Sequence, residues 1–204
     1  MISVALATED ELSEAVGLKL LSAHPVLTET PPMLLGRKGS GYLRSHMDNW
    51  RQMANHSVVI VLTDLDRVAC PLVLLEDWLG AQRRCPENLL FRIAEREVES
   101  WLLADHKALK RLIGTKGKLP LEPDKLSDPK QRLLTLAQKA PRAVKEDLVA
   151  QQGAVASQGI GYNRRLVDWV QEEWSPKRAA TRSPSLVRAR NALRETASRI
   201  IQAR

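Results

Sequence analysis

The chain has few cysteines, few aromatic residues and no long apolar segment. Of its 204 residues only Cys70 and Cys85 are cysteines, too few for a disulfide framework and without metal-ligand spacing, so each is expected to be a small buried apolar residue. No apolar run could span a bilayer, and the first residues lack the layout of a secretory signal. These absences predict a cytoplasmic protein with no membrane partner.

Aromatic residues make up 4% of the sequence, and none follows Trp174. Stacking of nucleic-acid bases on the C-terminal segment is therefore not expected. The sequence also contains neither the P-loop nor the dinucleotide-binding fingerprint. The common nucleotide-binding folds are thus not indicated by motif.

Positive charge is concentrated at the C-terminal end. The net charge is +7, yet residues 177–204 contain eight lysines and arginines opposed only by Glu195. A basic segment of this kind is a candidate contact for the phosphates of a nucleic acid, since neutralising phosphates releases counterions. The alternatives are a solvated helix face or a surface that docks on an acidic partner protein.

Residues 57–67 (SVVIVLTDLDR) are the most informative stretch. A short, continuous, β-branched apolar run predicts a strand buried on both faces of a parallel sheet. Asp64 and Asp66 follow it, at the carboxyl end where ligands gather in open α/β sheets. Two close carboxylates suit Mg²⁺, although an Asp-X-Asp pair at a strand end is also a common turn former or helix cap.

Acidic residues follow two other predicted strands. Residues 2–7 lead to Glu9 and the start of a helix, and residues 88–94 lead to Glu95, Glu97 and Glu99, with a helix starting near Arg96. A further strand at 33–35 and helices after each strand predict an α/β fold with a small, Rossmann-like, mainly parallel sheet flanked by helices.

Residues 36–41 alternate three glycines with Arg37, Lys38 and a serine. Such a turn could bring backbone N–H groups and two cations to a phosphate. A tight turn into a helix over residues 42–55 is the equally weighted alternative. A third predicted helix starts at Pro71 and runs to about Leu79.

The second half of the chain is predicted to be helical. We expect an α/β core over residues 1–113 and a helical extension over 114–204, packed on the core as one unit. Helical patterns cover 130–140, 142–150 and 162–174, with a flexible connection at 151–161. Ser183 is the expected cap of a last helix that opens with Pro184; its buried seam comprises Leu186, Leu193, Ala197 and Ile200.

The acidic strand ends resemble the Toprim domain shared by topoisomerases, primases and OLD-type nucleases. The resemblance is closer still to a group of bacterial Toprim-related proteins often encoded beside an ATPase in phage-defence loci. It rests on residues 8–14 (TEDELSE), 62–66 (LTDLD) and 92–105 (RIAEREVESWLLAD), which cover about the first half of the chain.

The resemblance implies a Mg²⁺- or Mn²⁺-dependent nuclease controlled by an ATPase subunit. Glu9 matches the glutamate that serves the family as general acid or base, or as a metal ligand, although Asp10 stands where the family has glycine, which makes Glu14 the alternative. Asp64 and Asp66 match the metal-binding pair, and Glu97 is favoured over Glu95 and Glu99 as a further ligand. The phosphate or nucleic-acid contacts expected beside this site are Arg37, Lys38, Arg67, Arg182, Ser183, Ser185 and Arg188.

Two other functions compete with the nuclease. One is a catalytically silent adaptor whose basic tail docks on a partner, and the other is a hydrolase acting on a small nucleotide held by the 36–41 loop. The seam of the last helix could be buried within the chain or against a second copy, so a homo-oligomer is possible.

Overall fold

Four parallel strands form the centre of the protein. The structure is a computed structural model that describes residues 2–80, 85–151, 153 and 155–204. The sheet order is β2-β1-β3-β4, and every neighbouring pair is parallel. The strands are β1 (Ser3–Thr8), β2 (Met33–Leu34), β3 (Ser57–Asp64) and β4 (Leu89–Ala94). The predicted α/β class and parallel sheet are confirmed.

Helices cover both faces of this sheet and make up most of the second half of the chain. Those of the first half are α1 (Glu11–Leu21), α2 (Gly39–Ser45), α3 (Met47–Met53), α4 (Pro71–Leu79), α5 (Glu99–Ala104) and α6 (His106–Ile113). Those of the second half are α7 (Pro129–Ala137), α8 (Arg142–Leu148), α9 (Tyr162–Glu172), α10 (Pro176–Ala179) and α11 (Pro184–Gln202).

Strand β3 is apolar on both faces because each face packs on a separate core. Val58 and Ile60 point to a large core that also holds residues of α1, α5, α9 and α11. Val59 and Val61 point to a smaller core formed with α2, α3 and α4. A strand buried this way reads as a continuous apolar run without alternation, which is why the sequence indicated it.

The large core draws on both halves of the chain. Trp101 of α5, Leu166 of α9 and Leu186 of α11 are fully buried in the same cluster as Leu6 of β1. Burying a leucine-sized side chain stabilises a fold by about 1.5–3 kcal/mol, so helices after residue 113 contribute much of the packing that holds the sheet.

Helix α11 begins as predicted. The Ser183 side chain accepts a hydrogen bond from the Leu186 N–H at 3.2 Å, and Pro184 occupies the first helical position. The four seam residues, Leu186, Leu193, Ala197 and Ile200, are all buried within the chain. Among the described residues, no helix combines the length and the apolar character needed to cross a membrane.

Three expectations were wrong. The helix predicted over 42–55 is broken at His46, whose backbone leaves helical geometry between α2 and α3. The helix predicted from Arg96 starts at Glu99, because Arg96 has a left-handed φ of 62° that no helix residue adopts. Cys70 and Cys85 are free and partly exposed, not buried. The connection at 151–161 lies partly outside the described residues.

Candidate active site

Glu9 links the ends of β1 and β3. The next residue, Asp10, caps α1 by accepting the Ser13 N–H at 2.8 Å, which leaves Glu9 to reach the neighbouring strand. Its Oε1 accepts the Thr63 hydroxyl at 2.5 Å and the Asp64 N–H at 2.9 Å. Burial raises the pKa of Glu9, and these two hydrogen bonds only partly oppose that rise.

Asp64 ends β3 among other acids. Its Oδ1 accepts the Val98 N–H at 2.9 Å. The pKa of Asp64 is raised well above its ordinary value, first by burial and then by the negative charges of Glu99, Glu9, Asp10 and Asp66. No lysine or arginine side chain of the described residues hydrogen-bonds to its carboxylate. Asp64 therefore lies among acids with no cation bonded to its carboxylate.

Asp66 lies at an exposed, strained turn. Its φ is 50° and that of Arg96 is 62°, a conformation that costs a non-glycine residue about 1–2 kcal/mol. The two turns hold each other: the Asp66 N–H donates to the Arg96 carbonyl at 2.7 Å, and Arg96 Nη1 donates to the Asp66 carbonyl at 2.9 Å. The Asp66 carboxylate itself has no partner among the described residues.

Two glutamates after β4 approach the site and one turns away. Glu97 Oε2 accepts the Lys130 N–H at 2.8 Å, and its pKa is raised by burial. Glu99 is 4% exposed, and burial raises its pKa to about 6. Glu95 instead accepts a hydrogen bond from Arg188 at 3.2 Å. Of the three alternatives left open by the sequence, Glu97 and Glu99 thus face the other acids.

Lys130 and Tyr162 also belong to the site, and sequence reasoning missed both. The Tyr162 hydroxyl donates to Glu99 Oε1 at 2.8 Å. Lys130 Nζ lies 3.9 Å from the same oxygen and 5.1 Å from the centroid of the Tyr162 ring. Both residues come from the helical second half, more than thirty positions from any acid they contact. No local pattern in the sequence distinguishes them.

Glu14 differs from the other acids in that Arg37 matches its charge. Arg37 donates to Glu14 through Nε at 3.1 Å and Nη2 at 2.5 Å, and Glu14 is 4% exposed. This pairing commits the Arg37 guanidinium that the sequence suggested for phosphate. Lys38 Nζ is exposed and lies 4.9 Å from the centroid of the Tyr42 ring.

The glycine-rich loop is attached to the end of β1. The Arg37 N–H donates to the Thr8 carbonyl at 2.9 Å, and the Gly39 N–H donates to the Glu9 carbonyl at 3.0 Å. A Cβ on Gly36 would lie 2.3 Å from the Thr8 carbonyl oxygen. Gly36 is therefore required for close backbone approach, and the loop lies directly beside Glu9.

The predicted phosphate contacts outside the glycine-rich loop divide into two groups. Ser183 and Ser185 are buried: Ser183 donates to Asp124 at 2.8 Å, and Ser185 accepts the Trp101 indole N–H at 2.7 Å. We therefore remove both serines from the phosphate-binding set. Arg188 is more than half exposed although paired with Glu95, Arg182 is partly exposed, and Arg67 is exposed next to Asp66.

The acids at the end of β3 can be compared with the ligands that a divalent metal ion needs. Over the described ranges, no three acidic, histidine or cysteine side chains already converge as a metal cage. Mg²⁺ does not need one, since it is usually held by one or two carboxylates plus waters and substrate oxygens. Asp64 and Asp66 offer that donor chemistry; the pKa of Asp64 is raised first by burial and then by neighbouring acids, whose charge a cation would offset. The residues present fit the ion.

Comparison with protein-family models, with curated proteins and with solved structures returns no match.

Proposed function

We propose that the protein is a metal-dependent phosphodiesterase of Toprim type that cleaves nucleic acid. One observation carries the proposal: Glu9, Asp64 and Asp66 meet at the ends of β1 and β3, where Glu9 accepts the Asp64 N–H at 2.9 Å, and no lysine or arginine of the described residues hydrogen-bonds to the Asp64 carboxylate. Acids held close together without a cation are typical of functional sites, where a ligand supplies the missing positive charge.

Asp64 and Asp66 would hold the ion, with Glu9 beside them. Mg²⁺ or Mn²⁺ bound there would polarise a phosphodiester and lower the pKa of a bound water. Glu9, whose pKa is raised by burial and which links the ends of β1 and β3, would act as the general acid or base in this proposal. Its hydrogen bonds from Thr63 and the Asp64 backbone fix its orientation.

Lys130 and Tyr162 are positioning residues in this proposal. They contact Glu99 and the Lys130 backbone contacts Glu97, so they set the orientation and charge of the acids behind Asp64. Control by an ATPase subunit, which the family resemblance implies, stays a prediction.

The test is cleavage of DNA and RNA, single- and double-stranded, with Mg²⁺ or Mn²⁺. We expect Asp64→Asn/Asp66→Asn to lose activity by more than roughly 100-fold, since even indirect contacts to metal ligands contribute 10- to 100-fold. Asp168→Asn, an exposed acid on α9, is the matched control and should cleave like wild type. EDTA should abolish all cleavage.

The opposite result is equally informative. A folded wild type that cleaves none of the four substrates with either metal would favour the adaptor. Cleavage of mononucleotides alone would favour the small-nucleotide hydrolase.

A further inference from the structure

Three surface clefts lie next to one another, and Asp66 lines the first of them. The first lies beside Asp66 and Arg67, and the second lies between the 3-10 turn at Pro123–Lys125 and the start of α11. They share Asp124 and Lys125. The third lies along the first turns of α6 and shares Thr181 and Arg182 with the second. Together they form a path from the acidic site across the helical second half.

The charged groups that line this path are mainly basic. The eight cations are Arg67, Arg96, Lys107, Lys110, Lys125, Arg178, Arg182 and Arg188; the five acids are Asp66, Glu95, Asp105, Glu122 and Asp124. We call these residues together the basic track. Its charge favours a polyanion as the occupant.

Most acids of the basic track already have an ion-pair or hydrogen-bond partner within the protein. Asp105 pairs with Arg178 at 2.7 Å, Glu122 pairs with Lys125 at 2.6 Å, and Glu95 pairs with Arg188. Asp124 accepts the Ser183 hydroxyl and the Ser185 N–H. The only acid left is Asp66, which belongs to the candidate active site.

Five cations of the basic track have no acidic partner among the described residues: Arg67, Arg96, Lys107, Lys110 and Arg182. Three of them, Arg67, Lys107 and Lys110, are exposed. Their positive field also acts on His106, whose pKa is lowered by burial and then by Arg182 and Lys110. Unpaired cations spaced along a groove are what a phosphate backbone requires.

The middle cleft has a more apolar lining than its two neighbours. Its volume is about 560 Å³, and Leu121, Ala180, Pro184 and Val187 contribute to its lining. Leu121 is 72% exposed although it is a large apolar residue. An apolar pocket between cationic walls suits a base or sugar with a phosphate on each side. The bases of a duplex are stacked inside and could not enter.

We propose that the basic track binds a single nucleic-acid strand and leads its backbone to Asp66. The identity of the reacting end rests on the proposed function. The track replaces the basic tail as the binding surface: only Arg178, Arg182 and Arg188 of the tail line it. Other tail arginines are used within the fold, as Arg199 pairs with Glu87 and Arg204 pairs with Glu29.

The test measures binding in EDTA, so that it does not depend on cleavage. Fluorescence anisotropy of a labelled single strand of about 20 nucleotides gives the Kd as a function of salt. For Lys107→Ala/Lys110→Ala we expect at least tenfold weaker binding and a salt slope reduced by about 1.4, from two lost phosphate contacts. Both residues are exposed on α6, so the variant is expected to fold.

The matched control is Lys139→Ala/Lys145→Ala, which removes the same charge from exposed sites outside the track. It should bind within twofold of wild type. Equal weakening in both variants would overturn the track, since only net charge would then matter. A matched duplex that binds wild type as tightly as the single strand would overturn the single-strand assignment.

A second measurement separates this inference from the proposed function. Hydrolysis of a small phosphodiester, bis(4-nitrophenyl) phosphate, tests the acidic site without the track: wild type and Lys139→Ala/Lys145→Ala should hydrolyse it equally, and Asp64→Asn/Asp66→Asn should not. A wild type that binds the strand through the track but hydrolyses neither substrate would keep the track and reject the nuclease. Cleavage by the wild type, together with unchanged strand binding by Lys107→Ala/Lys110→Ala, would keep the nuclease and reject the track.

Discussion

Two aspartates in this molecule lie in contrasting electrostatic surroundings. Asp105, between α5 and α6, is fully buried, yet its carboxylate accepts the Arg178 guanidinium through both oxygens at 2.9 and 2.7 Å. It also accepts the Ser175 N–H at 2.8 Å. Burial works to raise the pKa of Asp105, but these hydrogen bonds lower it overall. Asp64, at the end of β3, meets other acids and has its pKa raised.

The difference distinguishes a structural acid, whose charge is matched within the fold, from an acid whose charge the fold leaves unmatched. Asp105 joins three helices through bonds that satisfy its charge, as a structural ion pair must. Asp64 has one backbone hydrogen bond and unrelieved repulsion, which lowers stability in the absence of a ligand. Stability should therefore respond in opposite directions when each charge is removed.

The largest effect is expected at Asp105. Asp105→Asn removes the charge that matches Arg178, and we expect the free energy of unfolding to fall by about 2–3 kcal/mol, less than for a fully buried pair because Arg178 is partly exposed. Asp64→Asn should instead raise it near neutral pH. Urea denaturation measures both. A loss of stability in both variants would mean that Asp64 is also structural.

The next largest effect on stability is expected at Glu99, a buried glutamate. The pKa of Glu99 is raised to about 6, so the folded state holds this proton more tightly than the unfolded state does. The stability that this protonation provides is complete below about pH 4.5 and is lost as pH rises through about 6. Glu99→Gln should therefore be more stable than wild type by about 2 kcal/mol above pH 6, and equally stable below pH 4.5.

Glu14→Gln is the control for Glu99→Gln. Glu14 is as buried as Glu99, but it is paired with Arg37 through two nitrogens. Removing its charge should lower stability at neutral pH. If Glu14→Gln also raised stability, the effect at Glu99 would come from the glutamine side chain and not from lost repulsion.

Elements determined by local signals were predicted well. The apolar run of β3, Pro71 at the start of α4, and the Ser183 cap of α11 each act on their own neighbours in the chain. Glu9 and Asp64 were expected to lie close together because parallel strands bring their carboxyl ends to one edge, and the Asp64 N–H donates to Glu9 at 2.9 Å; Glu14, the alternative to Glu9, is paired with Arg37 instead. Where the chain has to turn against its local preference, as at Arg96, sequence reasoning failed.

What the sequence could not show is which charges are matched. Glu99 and Asp105 lie six positions apart in the same acid-rich stretch, and nothing local distinguishes them. Their partners, Tyr162 and Arg178, are supplied by the second half of the chain. The distinction between a site acid and a structural acid thus depends on contacts that only the folded chain creates.

The smallest effect sharpens the comparison most directly, because it supplies the missing charge instead of removing an acid. Mg²⁺ at tenfold its Kd should stabilise the wild type by about 1.4 kcal/mol, seen as a higher Tm. Asp64→Asn should lose this gain, whereas Asp105→Asn, although less stable, should keep it, since Asp105 already has Arg178 as its cation. Sodium chloride at equal ionic strength controls for screening. A Mg²⁺ effect of equal size in all three proteins would show that the ion acts on general surface charge and not on the carboxylates at the end of β3.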